Sequence, residues 1–286
     1  MPVRRRVFLA AGMAAALSAW PQAAALAQAR GYIARRLHQP VPGGVAVIGL
    51  GAAPQAPGAR FQGRPVLVVR DSDNAWVAVV GIGLKVPPGP QTLSVSQDGR
   101  AREMAFTVRG KEYAAQHITL KNPRQVNPNP EDMKRIQREL AAQNAAYAAF
   151  RAEVTPSNVI LDRPVQGGRL SSPFGLRRFF NGEERNPHSG LDFAVPAGTP
   201  VRAPAAGKVV LVGDYFFNGK TLFIDHGQGL VSMFAHLSAI DVKLGDDVAR
   251  GAIVAKVGAT GRATGPHLHW NVSLNDVRVD PGIFIK

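Results

Sequence analysis

No cysteine occurs among the 286 residues. That absence excludes disulfide staples and lipidation of a cysteine after export, and any metal site must be built from histidine and carboxylate. It does not by itself fix the compartment. Acidic residues are scarce, 20 Asp and Glu against 34 Lys and Arg, so the formal net charge is +14. A chain this basic seeks anions such as nucleic acid, anionic lipid or anionic wall polymer, although charge also serves plain solubility. Basic runs interleaved with aromatics are absent, so nothing points to a nucleic-acid groove. The sequence His-Glu-x-x-His is absent too, which excludes the helical zinc-peptidase arrangement built on it.

A long apolar run is also missing. The stretch 7–20 carries no charge, but it is shorter than the roughly 20 residues a membrane-spanning helix needs. It follows Arg4-Arg5-Arg6 and precedes Ala25-Leu26-Ala27 and Ala27-Gln28-Ala29, two small-x-small cleavage sites. The pattern predicts a signal peptide at 1–29 and export to the periplasm or cell envelope, with no stable membrane span after cleavage. Losing three arginines and no acid lowers the net charge to +11. Arg5-Arg6-Val7-Phe8-Leu9 resembles the twin-arginine motif, but Arg4 and Ala10 depart from it, so the Sec and twin-arginine routes both stay open.

The remainder reads as mostly β. Runs at 45–48, 65–69, 76–80, 91–95, 104–108 and 117–120 recur every 10–15 residues, a rhythm that predicts an antiparallel sandwich-like domain over 38–120. Pro87-Pro88-Gly89-Pro90 and Gln97-Asp98-Gly99 are turn chemistry. His38 and His117 stand alone there and suggest no site. A linker over 121–160 carries one helix. Asn129 suits its N-cap, Pro130 its first position, and Glu131 and Asp132 its positive end. Met133, Ile136, Leu140 and Tyr147 predict its apolar face, interrupted by Gln143, and Pro156 its limit. From 161 to 286 the strand rhythm resumes at 208–212, 221–225, 230–234, 252–257 and 268–273, between Gly-rich turns. This predicts an antiparallel sheet domain.

Five of the seven histidines fall between His188 and His269. In His188-Ser189-Gly190-Leu191-Asp192, Pro187 and Gly190 argue against a helix. On a straight strand His188 and Asp192 stand about 13 Å apart, too far for one ion, so the chain must bend if both bind it, and Gly190 permits a bend. In Gly265-Pro266-His267-Leu268-His269-Trp270, His267 and His269 share a strand face about 6.6 Å apart, with Leu268 turned into a core. That spacing suits one ligand with a second imidazole beside it; composition does not rank the two. His236, in Phe234-Ala235-His236-Leu237, joins the same face if 233–236 is a strand of that sheet.

These three segments, with Thr260-Gly261-Arg262-Ala263-Thr264 leading into the last, resemble in order the motifs of the M23 peptidases, the family of lysostaphin and the LytM-type peptidoglycan endopeptidases. The resemblance covers about 161–286. Phe174-Gly175-Leu176-Arg177, Pro196-Ala197-Gly198-Thr199-Pro200-Val201, Asp225-His226-Gly227 and Val279-Asp280-Pro281 extend it. The segment 41–120 resembles an N-terminal module of some members. Carried over by position, the resemblance makes His188, Asp192 and His269 ligands of one zinc ion and His236 and His267 the catalytic pair. Phe234 stands where the family commonly has Tyr. His226 takes a loop-anchoring role.

The resemblance implies a zinc endopeptidase acting on peptidoglycan stem peptides. A D,D-cross-link of the meso-diaminopimelate type is the first substrate expectation and a glycine bridge the second. Protein partners are not implied. Phe179, Phe180, Tyr215, Phe216 and Phe217 either wall a groove or pack hairpins. The rival reading is a non-catalytic M23-fold activator of a cell-wall amidase, but such relatives generally lack zinc ligands. A third, a wall-binding scaffold held by charge, leaves the histidine clustering unexplained.

Overall fold

A computed structural model describes residues 30–285; the expected signal peptide, 1–29, lies outside the described residues. The chain is mostly β, with one long helix between two β-rich regions. None of the described helices is long and apolar enough to cross a membrane.

In the N-terminal region Val45–Gly51, Trp76–Gly81 and Leu67–Arg70 form one antiparallel sheet. Gly58–Phe61, Gly89–Gln97 and Arg100–Val108, with the short Arg64–Pro65, form a second. Ile48, Val80, Phe61, Leu93 and Phe106 close the core between them, so the expected sandwich is present. The first sheet is buried on both faces. Val45, Val47, Val77 and Val79 turn away from that core into another that is shared with the C-terminal region. This explains why its strands read as unbroken apolar runs instead of alternating with polar residues.

Three local features depart from expectation. The helix Tyr32–Leu37 has no side-chain cap of its own; Asp71, far along the chain, accepts from the N–H groups of Ile33 and Ala34. No local pattern marks it for that reason. The last run expected in the sandwich becomes the strand Ala115–Ile118, which pairs in parallel with Arg177–Phe180 of the C-terminal region. There His117 stacks on Phe179 with ring centroids 4.7 Å apart. His38 is held structurally, its Nδ1 accepting from the Val47 N–H at 3.0 Å.

The long helix, Pro130–Ala148, starts as the sequence predicts. Asn129 accepts from the Asp132 N–H, and Asp132 accepts in return from the Asn129 N–H, a capping box. Its buried face differs from expectation: Ile136, Gln143, Ala146 and Tyr147 are buried, whereas Met133 and Leu140 are 41% and 49% exposed. Gln143 holds its place on that face by accepting from Asn218 Nδ2 at 2.7 Å. The helix also stops well before Pro156. Arg151 leaves the axis to bind Asp225, donating through Nε to the carboxylate and through Nη2 to the carbonyl.

A ten-stranded sheet forms the C-terminal region. Its main path runs Asp247–Val248, Gly207–Tyr215, Gly219–Gly227, Leu230–Ile240, Leu268–Leu274, Leu191–Ala194, Arg169–Ser172, with neighbours antiparallel. On one face Phe234, Leu268, Trp270 and Leu274 enter the shared core. On the other, Phe223, Val231, Met233 and Ala235 pack against Ala146 and Tyr147 of the long helix.

Candidate metal centre

Sheet register brings the first two residues together. Asp192 and His269 are directly opposed on the neighbouring strands Leu191–Ala194 and Leu268–Leu274. Opposed residues on one face have Cβ atoms about 4.5–5.5 Å apart, close enough for both side chains to meet one ion. His188 reaches them from the irregular segment before the strand. Its backbone N–H bonds the Leu176 carbonyl, and its Nδ1–H donates to the Pro173 carbonyl at 2.7 Å. Gly190 supplies room in this bend. A Cβ there would lie 2.1 Å from Asn271 Oδ1 and 2.7 Å from His269 Cε1.

His236 arrives by a different device. Ala235 is the residue opposed to His269, so strict alternation would turn His236 to the opposite face. A bulge in Leu230–Ile240 breaks the alternation, its register shifting between Phe234 and Leu237 against Gly219–Gly227. His236 takes the left-handed conformation within it, at φ +59. Leu237 then resumes core packing, while the His236 ring meets those of His267 and His269 at centroid distances of 4.7 and 5.9 Å. The expectation that His236 joins that face therefore holds through a strained residue, not through a plain strand.

Three ligand atoms converge: His188 Nε2 and Asp192 Oδ1 at 3.1 Å, His269 Nδ1 and Asp192 Oδ1 at 2.7 Å, and the two nitrogens at 3.0 Å. Donors about 2.0–2.2 Å from a tetrahedral zinc stand about 3.3–3.6 Å apart, so the triangle opens by less than about 1 Å on each edge to take one. The donor set also calls for a cation. With its one neutral-form proton given to Pro173, His188 aims a bare Nε2 lone pair at a carboxylate oxygen. Protonation does not resolve this, because burial lowers the His188 pKa. Burial alone would raise that of Asp192, but the two imidazoles against it hold it far below the usual carboxylate range. Arg178 Nη2 donates to Asp192 Oδ2 at 3.3 Å and to Ser172 Oγ at 3.1 Å, which leaves Oδ1 to the imidazoles. The residues fit a divalent metal of the zinc type.

Beside this centre, His236 and His267 each hold one ring position by a backbone carbonyl. His236 Nδ1–H donates to Thr260 O and His267 Nδ1–H to Gly265 O, both at 2.8 Å. Each ring then keeps Nε2 as an acceptor. Burial, then the neighbouring His269 and His267, push the His236 pKa down to about 3, so this ring is neutral at neutral pH. All five residues except His188 line one cleft of about 280 Å³, which Arg178, Arg262 and Phe180 also line. Of the five aromatics named from the sequence, Phe180 alone lines it; Phe216 and Phe217 pack on each other. The strand Ala115–Ile118 adds Gln116 and Ile118 to the wall.

Several supports were not legible in sequence. The Pro173 and Thr260 carbonyls carry no residue signature. Asn271 Nδ2 donates to Tyr147 Oη and Ser189 Oγ, tying the long helix to the floor of the site. Arg262, also in the cleft, lies inside the Thr260–Trp270 motif. His226 is outside the cleft: its Nδ1 bonds the Ala206 carbonyl and its Nε2 Ser232 Oγ, each at 2.9 Å, and it is fully buried.

Residues 186–281 match Peptidase family M23, and residues 38–111 match the Peptidase family M23 N-terminal domain. A crystal structure of an M23-type protein from Pseudomonas aeruginosa is 58% identical, with a TM-score of 0.76 over 88% of this chain and 97% of that one. The DD-carboxypeptidase/endopeptidase Mpg of Neisseria meningitidis serogroup B is 41% identical over 118 residues, 41% of this chain and 27% of that protein. The peptidoglycan DD-endopeptidase ShyA of Vibrio cholerae is 43% identical over 105 residues, 36% and 24% of the two chains. The matched segment thus spans about a quarter of the length of these curated relatives.

Proposed function

We propose that this chain, which belongs to peptidase family M23, is an exported zinc endopeptidase that hydrolyses D,D-peptide cross-links of bacterial peptidoglycan. The carrying observation is the convergence of His188 Nε2, Asp192 Oδ1 and His269 Nδ1 within 4.8 Å of one another, next to two further imidazoles at an open cleft. Three protein donors that leave a position open are the catalytic kind of zinc site, where a structural site would be closed by a fourth. The relatives named as DD-endopeptidases support the bond class, and the charged, apolar, small-x-small start supports export with loss of the first 27–29 residues.

In this reading His188, Asp192 and His269 hold the metal, which supplies Lewis-acid activation of water and of the scissile carbonyl. Every proton is moved by the chain's own imidazoles. His236, neutral and with its Nδ1–H committed to Thr260, accepts a proton from the attacking water at Nε2. The ring so charged becomes the donor toward the developing oxyanion and then to the leaving nitrogen, while His267, its Nδ1–H held the same way by Gly265, keeps an acceptor Nε2 in the same cleft. Arg178 keeps the Asp192 carboxylate oriented. An amidase activator would have no use for this donor set.

Digestion of purified peptidoglycan by the zinc-loaded mature chain tests the proposal. Mass spectrometry is expected to find new D-alanine carboxyl and diaminopimelate amino termini, with one zinc per chain. Intact cross-links, or a folded protein that takes up no zinc, would overturn it.

A further inference from the structure

The cleft is cationic in a way that the peptidase chemistry does not use. Arg262 lies between two aromatic faces, 4.4 Å from the ring centroid of Phe180 and 4.3 Å from that of Phe217. Among the described residues its guanidinium makes one hydrogen bond, from Nη1 to the Gln125 carbonyl at 3.1 Å. The charges that act on it, Arg178 and Arg185, are both positive; burial and that repulsion lower its pKa to about 10, which leaves it cationic at neutral pH. Arg178 lines the same cleft, with a buried Nε that has no partner. Among the described lining residues Asp192 is the one carboxylate, and His188, His269 and Arg178 already occupy its oxygens. Arg262, a largely desolvated guanidinium with spare N–H donors and no carboxylate partner, is costly unless an anion joins it, and Arg178, whose one carboxylate is shared with the imidazoles, adds a second cation beside it.

We propose that Arg262, with Arg178 beside it, is a carboxylate-recognition subsite that makes the chain select peptides bearing a free carboxylate next to the scissile bond. This rests on the peptidase reading above and narrows it. In a D-alanyl cross-link to diaminopimelate, and in a D-alanyl-D-alanine terminus, the carbon that carries the leaving nitrogen also carries a free carboxylate. That group is three bonds from the scissile carbon, hence within about 4 Å of it. A glycine bridge continues there as a neutral amide. Guanidinium suits the task because its planar fork meets a carboxylate in two parallel hydrogen bonds. The aromatic sandwich holds the fork in place, so little side-chain freedom is lost on binding.

The test uses zinc-loaded full-length mature protein and two cross-linked muropeptide dimers, identical except that the diaminopimelate carboxylate beside the scissile bond is free in one and amidated in the other. The wild type is expected to cleave the free acid with about 10- to 100-fold higher kcat/KM, the range of a charge-assisted hydrogen-bonded pair. Arg262→Gln should erase that preference by lowering activity on the free acid about 10- to 100-fold more than on the amide, and Arg262→Lys should restore part of it. Equal cleavage of both dimers by the wild type, or an equal fall on both in Arg262→Gln, overturns the subsite while leaving the peptidase reading in place. Cleavage of neither dimer by the wild type overturns both. Should Arg262→Gln fail to fold, the wild-type comparison of the two dimers decides alone.

Discussion

Replacing His236 separates its chemical role from its backbone role. The residue sits at φ +59 in a bulge, where a side chain with a Cβ costs about 1–2 kcal/mol relative to glycine. Glycine in turn loses about 0.5–1 kcal/mol more backbone entropy on folding. His236→Gly should therefore be up to about 1.5 kcal/mol more stable than His236→Ala, the reverse of the usual order inside a strand. Both variants lose the bond to Thr260, worth about 1 kcal/mol, so the difference between them isolates the backbone. Both keep His188, Asp192 and His269 and should retain one zinc. Both lose the proton acceptor, so cross-link hydrolysis should fall by about 10²–10⁴-fold. Urea denaturation at fixed zinc, metal analysis and a muropeptide assay on the same preparations read the three quantities. If the alanine variant were the more stable, the bulge argument would fail. A folded His236→Ala protein without metal would make His236 a ligand and sink the assignment.

His269→Ala should lose both zinc and activity, since Asp192 and one imidazole remain, whereas His267→Ala should lose activity alone; metal content measured beside hydrolysis checks this, and the reverse pattern exchanges the roles. Gly190→Ala should lower stability by about 1–3 kcal/mol and weaken zinc retention, because the new methyl meets Asn271 and the His269 ring; unchanged zinc affinity in a competition titration counts against it. Burial lowers the His226 pKa from 6.5 to about 4, so the unfolded chain takes up a proton where the folded one does not. Its stabilisation is therefore complete above pH 6.5 and is lost as pH falls toward 4, by about 3 kcal/mol. Denaturation of metal-free wild type and His226→Gln across that range should give a flatter acid limb in the variant, and identical limbs would refute the linkage.

Much of this was written locally. The capping box at Asn129 and Asp132 and the turns at Gly-rich segments follow from short-range chemistry, and so does the mostly β rhythm. The motif residues stand in the chain at spacings that a strand and a bend can convert into neighbours, but it is the resemblance to the M23 motifs, not the spacing, that singles out His188, Asp192, His236, His267 and His269. What stayed hidden is what depends on partners far along the chain. The cap of the helix Tyr32–Leu37 comes from Asp71, and just beyond the end of the long helix Arg151 reaches Asp225. The strand Ala115–Ile118 leaves the sandwich to wall the cleft. A sequence displays residue types and period, and these determined most of the elements and limited any metal donors to histidine and carboxylate. Only the tertiary structure decided that Asp192 opposes His269, that a left-handed residue turns His236 out of its strand's alternation, and that Arg262 stands in the cleft without a counter-ion. Register, bulge and charge environment are set by contacts between segments that the linear chain does not join.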